Sequence, residues 1–401
     1  MNADPKTQSR RALLDAIRRA ERIARIDLAR ITGISQATVT TITAEMIRQG
    51  LIEEVQRDGD ASEARRGRPR VDLKLRGPAH LVAGLKIADR TISAVLVDFE
   101  GSVLQEHKHQ MGKTVFTTAE MAEQIKLALA GVTTPTGRGI DDLSAVAVGI
   151  AGVVDATRGF VHWSPYFAER NVEFGDRLSE LLGKPVFIDN DANLVAKAEQ
   201  YQGLGRNVSN FIVVTIESGV GMGIVLNDRL YRGTRGCGAE FGHTKVQLDG
   251  ALCRCGQRGC LEAYVADYAL LREASVTAGQ PSDAPPEKRG QELLSAARRG
   301  DPTAQSIVNR SSRMFAMGLA NLVNLFDPQL IIPSGERMQF DHLYAQDVMA
   351  SVRNSIVQVD AEPPELVIHK WGDFMWAQGA AAFALDGVAD IALRETGDHA
   401  A

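Results

Sequence analysis

"LVAGLKIADRTISAVLVDFEGSVLQEHKHQM" spans residues 81–111. Apolar and polar residues alternate along it, the pattern turns at Glu100-Gly101, and the alternation then resumes. A period of two places successive side chains on opposite faces of a strand, so this stretch predicts a β-hairpin or meander. "LSAVAVGIAGVVD" (143–155) follows as a buried strand ending in a glycine-rich turn. Arg177–Leu182 reads as helix, and "KPVFIDNDANLVAKAEQYQG" (184–203) as strand, turn, helix. A second set begins at "NFIVVTIESGVGMGIVLNDRLYRG" (210–233), two strands around a glycine turn. Beyond it the chain reads as mainly helical to Phe326, with one more strand at "PQLIIPSG" (328–335) and a helix-rich end. Strand–turn–strand followed by strand–helix, used twice, predicts an α/β fold of two related lobes with a ligand cleft.

The 401 residues are enough for two or three domains. Hydrophobic residues make up 44% and charged residues 24%, an ordinary balance for a globular chain. No apolar run approaches the roughly 18 residues of a membrane span, which argues against a membrane partner. The start, MNADPKTQSRR, lacks the apolar stretch of a signal peptide, so a cytoplasmic location is expected. Net charge is −5, but residues 1–76 carry 16 Lys/Arg against 11 Asp/Glu, and the remainder 29 against 39. A small basic head on a large acidic body points to nucleic-acid contact by the head alone.

In the head, "RIDLARITGISQATVTTITAEMIRQG" (25–50) has Leu28 and Ala29 on one short helix, then Gly33. Val39, Ile42 and Met46 recur at helical spacing. Gly33 permits the positive φ of a tight turn. Ser35 is placed to cap the second helix and Gly50 to end it. This is the layout of a helix-turn-helix. Ser35, Gln36, Ala37, Thr38, Thr40 and Thr41 lie near the start of the second helix or off its apolar stripe, where small and hydroxyl-bearing side chains can meet phosphates and base edges. Leu51–Val55 and "ARRGRPRVDLKL" (64–75) read as two strands with a charged loop between them, a wing. Arg65, Arg66, Arg68 and Arg70 stand around Gly67 and Pro69 on an extended backbone that suits a narrow minor groove.

"HTKVQLDGALCRCGQRGC" (243–260) holds three of the four cysteines and one of the eight histidines, spaced His-x9-Cys-x-Cys-x4-Cys. In a reducing compartment clustered cysteines are metal ligands more often than disulfides. Soft thiolates with one imidazole suit tetrahedral Zn2+, and four protein ligands leave no open position for chemistry, so His243, Cys253, Cys255 and Cys260 are expected to form a structural site. Gly256 and Gly259 allow the turns. Cys237 lies outside the pattern and is expected to be a small buried residue.

"AGVVD", "IDNDANLVAKAE", "GVGMGIVLNDRLYRG", "GAEFGH" and "CRCGQRGCLEAY" together make residues 80–390 resemble the ROK family of repressors, open reading frames and sugar kinases. With the winged head and its "GRP" motif, the chain resembles the family's sugar-sensing transcriptional repressors. The resemblance implies a two-lobed, actin-like sugar-kinase fold preceded by a small winged helix-turn-helix domain. It implies a head at 1–76, a first lobe at 77–195 to which helices at about 375–395 return, and a second lobe with the zinc site at 196–374. It puts the zinc ligands on the same four residues and His243 beside the sugar, holding the metal with one ring nitrogen. It implies sugar contacts from Gly152, Asn190, Asp191, Glu240, His243 and Glu262, since carboxylates accept hydrogen bonds from sugar hydroxyls. In the family's kinases the aspartate at Asp191 is the general base.

The nucleotide side departs from the kinase pattern. Where kinases read Asp-x-Gly-Gly-Thr, this chain has Lys86 in place of the aspartate, with Ala88, Asp89 and Arg90 in place of the glycines and threonine. "ESGVGMG" adds Glu217, and the adenosine-side glycine cluster shrinks to "PSGE" (333–336). Tyr166, in "SPYF", stands where kinases carry an asparagine, which leaves the sugar's identity open. The expectation is a sugar- or sugar-phosphate-responsive regulator of carbohydrate-metabolism genes that binds operator DNA as a homodimer or tetramer, needs no ATP and has no enzymatic activity. The alternatives are an ATP-dependent ROK sugar kinase with an added DNA-binding head, and a DNA-binding protein whose body serves only dimerisation.

Overall fold

The computed structural model describes residues 5–56, 71–216, 219–278, 286–334, 346–357, 362–369 and 372–398. The chain opens with α1 (Pro5–Ala20), β1 (Ile23–Ala24), α2 (Arg25–Thr32), α3 (Gln36–Arg48), β2 (Ile52–Gln56) and β3 (Val71–Leu75). Leu13, Leu14 and Ile17 of α1, Leu28 of α2, and Val39, Ile42 and Met46 of α3 are buried, as are Leu73 and Leu75 of the sheet β1-β3-β2. Each such side chain contributes roughly 1.5–3 kcal/mol by burial, so the apolar stripes outweigh any single cap. Gly33 takes φ +69° between α2 and α3. Ser35 caps α3, its Oγ accepting the Thr38 N–H at 3.2 Å. The buried stripe of α3 also includes Thr43, whose hydroxyl accepts from Arg25 Nε at 3.0 Å. Arg66, Arg68 and Arg70, expected in the wing, lie outside the described residues.

The body begins with β4 (Leu81–Ala88), β5 (Thr91–Asp98), β6 (Val103–Gln110), α4 (Thr118–Thr133), β7 (Ala145–Ile150), β8 (Val153–Asp155), β9 (Phe160–Trp163), α5 (Phe174–Leu182), β10 (Val186–Asn190) and α6 (Asp191–Gln202). Residues 81–111 form the expected meander, and the sheet order is β10-β7-β4-β5-β6. β10, β7 and β4 run parallel; β5 and β6 are antiparallel. No turn separates β10 from α6: Asn190 ends the strand and Asp191 starts the helix, so the turn expected there is absent.

The second set is β11 (Phe211–Ile216), β12 (Val220–Leu226), β13 (Arg229–Tyr231), α7 (Glu262–Val265), α8 (Asp267–Ala278), α9 (Pro286–Arg298), α10 (Pro302–Phe326), β14 (Leu330–Ser334), α11 (Gln346–Ser355) and β15 (Glu365–Leu366), followed by α12 (Met375–Asp398). Its sheet order, β13-β12-β11-β14-β15, repeats the first topology strand for strand. Glu217 lies outside the described residues.

The chain divides into two compact units, Met1–Asp191 with Trp376–Ala401, and Ala192–Met375. Helix α12 therefore belongs with the first unit, where it lies on β4. A Cβ at Gly84 would come 2.1 Å from the Ala377 carbonyl oxygen, so only glycine permits this approach. Among the described residues no helix is long and apolar enough to cross a membrane.

Candidate functional site

In the second unit the ligand atoms of His243, Cys253, Cys255 and Cys260 all lie within 4.8 Å of one another. Cys255 Sγ and Cys260 Sγ are 3.7 Å apart, and Cys253 Sγ and His243 Nδ1 3.8 Å. A tetrahedral zinc with Zn–S bonds of about 2.3 Å has S···S edges of about 3.8 Å, so these separations fit that ion. They are too long for a disulfide, and all four cysteines are free.

The backbone folds the loop onto itself to bring these donors together. Cys253 N–H donates to Gln257 O at 2.8 Å, Gly259 N–H to Ala251 O at 2.9 Å and Leu261 N–H to Thr244 O at 2.9 Å. Gly259 sits at φ +77°, and a Cβ there would come 1.8 Å from Gln247 O, so this turn requires glycine. Burial pushes the Cys253 thiol above its ordinary range; a coordinated cation reverses that by holding thiolate. Lys245, which the spacing does not flag, donates to Cys260 Sγ at 2.9 Å and to Gln257 Oε1 at 2.6 Å. The bond to Cys260 holds the Lys245 ammonium above the usual lysine range, and a cation there offsets the negative charge of three thiolates. Cys237 is outside the cluster and only half-buried, its thiol on the Arg235 carbonyl at 3.2 Å. The expectation of a buried residue fails because the glycine-rich segment around it has no apolar side chains to cover it.

His243 turns Nδ1 to the cysteines and Nε2 toward Glu240 Oε2, 3.9 Å away. Glu240 is exposed and follows Ala239, a non-glycine residue at φ +70°. Such strain, of order 1–3 kcal/mol, persists only where surrounding structure imposes it. Glu262, the first residue of α7, accepts the Val220 N–H at 3.3 Å through Oε2. Its Oε1 accepts from Tyr268 Oη at 3.3 Å and from the Cys253 thiol at 3.6 Å. Glu240, His243 and Glu262 thus share one frame with the cysteines.

In the first unit the parallel strands β4, β7 and β10 end side by side, with Lys86 opposite Gly149 and Asn190 opposite Ile150. Carboxyl ends of parallel strands are where α/β folds bind ligands. Asn190 Nδ2 donates to Gly152 O at 2.7 Å. Gly152 has φ +127°, and a Cβ there would come 2.2 Å from Trp163 O. Asp191 Oδ2 lies 3.8 Å from the ammonium of Lys86, which is itself 3.7 Å above the Trp376 ring. Lys86 is 6% exposed. The β4–β5 turn holds Asp89 and Arg90, with Arg90 at φ +57° and Asp89 accepting from Thr114 Oγ1 at 2.6 Å. Tyr166 packs partly buried against the sheet's apolar core. The pairing of Lys86 with Trp376 has no local signal, because the residues lie at opposite ends of the body.

On the head, Ser35, Gln36, Ala37, Thr38, Thr40 and Thr41 are all exposed. Thr40 and Thr41 hydroxyls donate back to Gln36 O at 2.8 Å and Ala37 O at 3.0 Å, leaving methyl groups and acceptor lone pairs outward. Arg10 and Arg11 of α1, also missed, bind elsewhere: Arg10 pairs with Glu45 of α3, and Arg11 with Asp386 and Asp390 of α12.

Comparison with known proteins agrees with this arrangement. The ROK family pattern matches residues 82–387, and a winged helix-turn-helix DNA-binding pattern matches residues 6–53. A glucokinase of Streptomyces coelicolor is 32% identical over 327 residues, covering 78% of this chain and 97% of the relative. A xylose repressor of Bacillus spizizenii is 25% identical over 387 residues, covering 96% and 97%. A crystal structure of a ROK family transcriptional regulator, a homologue of the Escherichia coli MLC protein, superposes with TM-score 0.78 at 25% identity, covering 97% of this chain and 98% of its own. The chain therefore belongs to the ROK family and joins that family's two-lobed α/β body to an N-terminal winged helix-turn-helix.

Proposed function

We propose that the chain is a cytoplasmic, sugar- or sugar-phosphate-responsive transcriptional regulator, a repressor of carbohydrate-metabolism genes, whose kinase-like body binds its effector without phosphorylating it. The observation that carries this reading is the alignment with the xylose repressor, which runs through head and body together over 96% of the chain. In this reading residues 1–76 bind operator DNA, while 77–195, with 375–395, and 196–374 form the effector-binding lobes. Ser35, Gln36, Ala37, Thr38, Thr40 and Thr41, with Arg66, Arg68 and Arg70 of the wing, contact DNA; the exposure of the α3 face supports the first group. Gly152, Asn190, Asp191, Glu240, His243 and Glu262 are the residues proposed to recognise the sugar. Zn2+ on His243, Cys253, Cys255 and Cys260 is structural, because four protein donors close its coordination. A homodimer or tetramer presents paired heads to a two-fold operator.

A second reading, an ATP-dependent sugar kinase with an added head, is favoured by the 32% identity to a glucokinase. Against it, Lys86 puts a buried positive charge where the kinases hold a metal-binding aspartate, and like charges repel a divalent cation there. A thermal-shift screen of D-glucose, D-xylose and their phosphates, run beside an assay of sugar-dependent ADP release, separates the two. A sugar that raises the melting temperature without ADP release supports the regulator. Sugar-dependent ADP release that Asp191→Asn abolishes establishes the kinase.

A further inference from the structure

We propose that helix α12 is the link that carries effector binding from Asp191 to the DNA-reading helix, with Lys86, Trp376 and Asp386 as its positioning residues. This rests on the sugar-responsive reading above and adds the route by which binding reaches the head.

The route can be followed contact by contact inside one compact unit. Asp191 meets the Lys86 ammonium at 3.8 Å, and that ammonium stands 3.7 Å over the indole of Trp376. Trp376 is 2% exposed and sits in the first turn of α12. A buried ammonium needs its carboxylate and its aromatic face together, so the three groups move as a set. Two residues before Lys86, Gly84 seats the α12 backbone directly on β4. The helix cannot absorb a push there by sliding side chains; it shifts as a body.

Ten residues along α12, about 15 Å at 1.5 Å per residue, Asp386 takes the head. Its carboxylate accepts from Arg11 Nη2 at 2.7 Å and from Arg18 Nη1 at 3.2 Å, and its carbonyl from Arg11 Nη1 at 3.1 Å. Asp390, one turn on, accepts from Arg11 Nη1 at 2.7 Å. Two turns beyond Asp386, the Leu393 carbonyl accepts from Arg10 Nη1 at 3.4 Å. Arg10 is 2% exposed and pairs with Glu45 of α3, the helix whose exposed face carries Gln36, Ala37, Thr38, Thr40 and Thr41. The chain of contacts therefore runs carboxylate, ammonium, indole, helix, guanidinium, carboxylate, and ends on the reading helix. A hydroxyl that hydrogen-bonds to Asp191 competes with Lys86 for the carboxylate. The displaced ammonium draws Trp376, and α12 turns the α1–α3 pair through Arg10, Arg11 and Arg18. Allosteric couplings of this kind span about 5- to 150-fold in affinity.

The test uses the full chain, a duplex selected by that chain from a random-sequence pool, and D-glucose and D-xylose as probes. Sugar affinity is measured by calorimetry, and duplex affinity with and without saturating sugar by anisotropy. In the wild-type chain the sugar changes duplex affinity at least fivefold. Asp386→Asn and Trp376→Leu are expected to leave a sugar-free duplex affinity within about threefold of wild type and to collapse the sugar effect below twofold. Asp386→Asn touches no residue assigned to the sugar and keeps wild-type sugar affinity. Asp386→Glu and Trp376→Phe restore at least half of the effect. Hydrogen exchange in α3 responds to sugar in the wild type and not in Asp386→Asn. The link is overturned if both disrupting variants keep the wild-type sugar effect. It is equally overturned if they lose duplex binding with and without sugar alike, which makes the contacts merely structural. If the wild-type chain binds sugar and DNA with no mutual effect, or binds neither, the sugar-responsive reading itself fails and the link falls with it.

Discussion

The two five-stranded sheets share one strand order, yet their first strands bury different polar groups near their carboxyl ends. In β4 the group is Lys86, 6% exposed; in β11 it is Thr215, 8% exposed. A hydroxyl is neutral and needs no countercharge, and Thr215 lies so close to Gly221 that a Cβ there would come 2.6 Å from its Oγ1. An ammonium needs a countercharge, and Lys86 finds Asp191 of α6 and the ring of Trp376 in α12. The first unit thus ties its ligand end to a distant helix by charge. The second has the neutral Thr215 at that position, and its charged groups, Glu262 among them, stand with the loop His243–Cys260. One topology supports both because the strands set only where a side chain stands, and residue type sets what it must be joined to.

The largest expected effect lies on the second unit's side of this contrast. His243→Ala removes one of the four donors proposed for zinc; the expected outcome is a zinc content well below one per chain and a shift of roughly 5 kcal/mol in unfolding of the second unit, since structural zinc supplies about 10–16 kcal/mol to small folds. Sugar response is lost as well. Glu262→Gln keeps the zinc and loses only the response. Elemental analysis and denaturant melts check both, and full zinc with full response in the His243 variant would remove that residue from either role.

Next comes the first unit's helix contact. Gly84→Val forces a side chain against the Ala377 carbonyl and the Ala381 backbone, and should cost roughly 3 kcal/mol or more in chemical denaturation. A near-neutral result would mean that α12 is not seated on β4 in solution.

The contrast itself is tested by a pair of isosteric changes. Asp191→Asn removes the carboxylate charge that faces the Lys86 ammonium and should cost about 1–3 kcal/mol, whereas Thr215→Val should cost about 1 kcal/mol or less. Equal costs would show that the two sheet ends are not built differently.

The smallest effect concerns acid. The hydrogen bond from Arg10 holds the Glu45 carboxyl below its ordinary value of 4.5. A carboxyl depressed in the folded state contributes stability above that ordinary value, and loses it as pH falls through the folded one. The protection of α3 amides against hydrogen exchange, corrected for the intrinsic rate at each pH, should therefore fall as pH drops below about 4.5, by an amount worth about 1 kcal/mol or less. Glu45→Gln should flatten that dependence, and an unchanged profile would exclude the pair as a holder of α3.

Much of this was legible in the residues. The alternation at 81–111 became β4, β5 and β6 because period two has few other solutions, and Val39, Ile42 and Met46 became the buried stripe of α3. The clustering of His243, Cys253, Cys255 and Cys260 was readable because all four come from one short loop whose glycines allow its turns. What was not legible depends on contacts far apart in the chain. Gly84 looks like any strand glycine until Ala377 is seen against it, and Lys86 looks like a surface cation until Trp376 covers it. Thr43 was hidden by its polar type, since its burial depends on hydrogen bonds with the Arg25 guanidinium and the Thr40 carbonyl. Arg10 and Arg11 lie in a basic head that suggests DNA, yet both are spent on carboxylates of the protein itself. Local periodicity thus announced the elements, while charge pairing between elements had to be observed.

The account is tested most directly by the affinity of the full chain for its selected duplex, titrated against D-glucose, D-xylose and their phosphates. A regulator of the proposed kind binds the duplex tightly without sugar and at least fivefold more weakly with one of them. A duplex affinity that none of these sugars changes, beside sugar-dependent turnover of ATP, would contradict it.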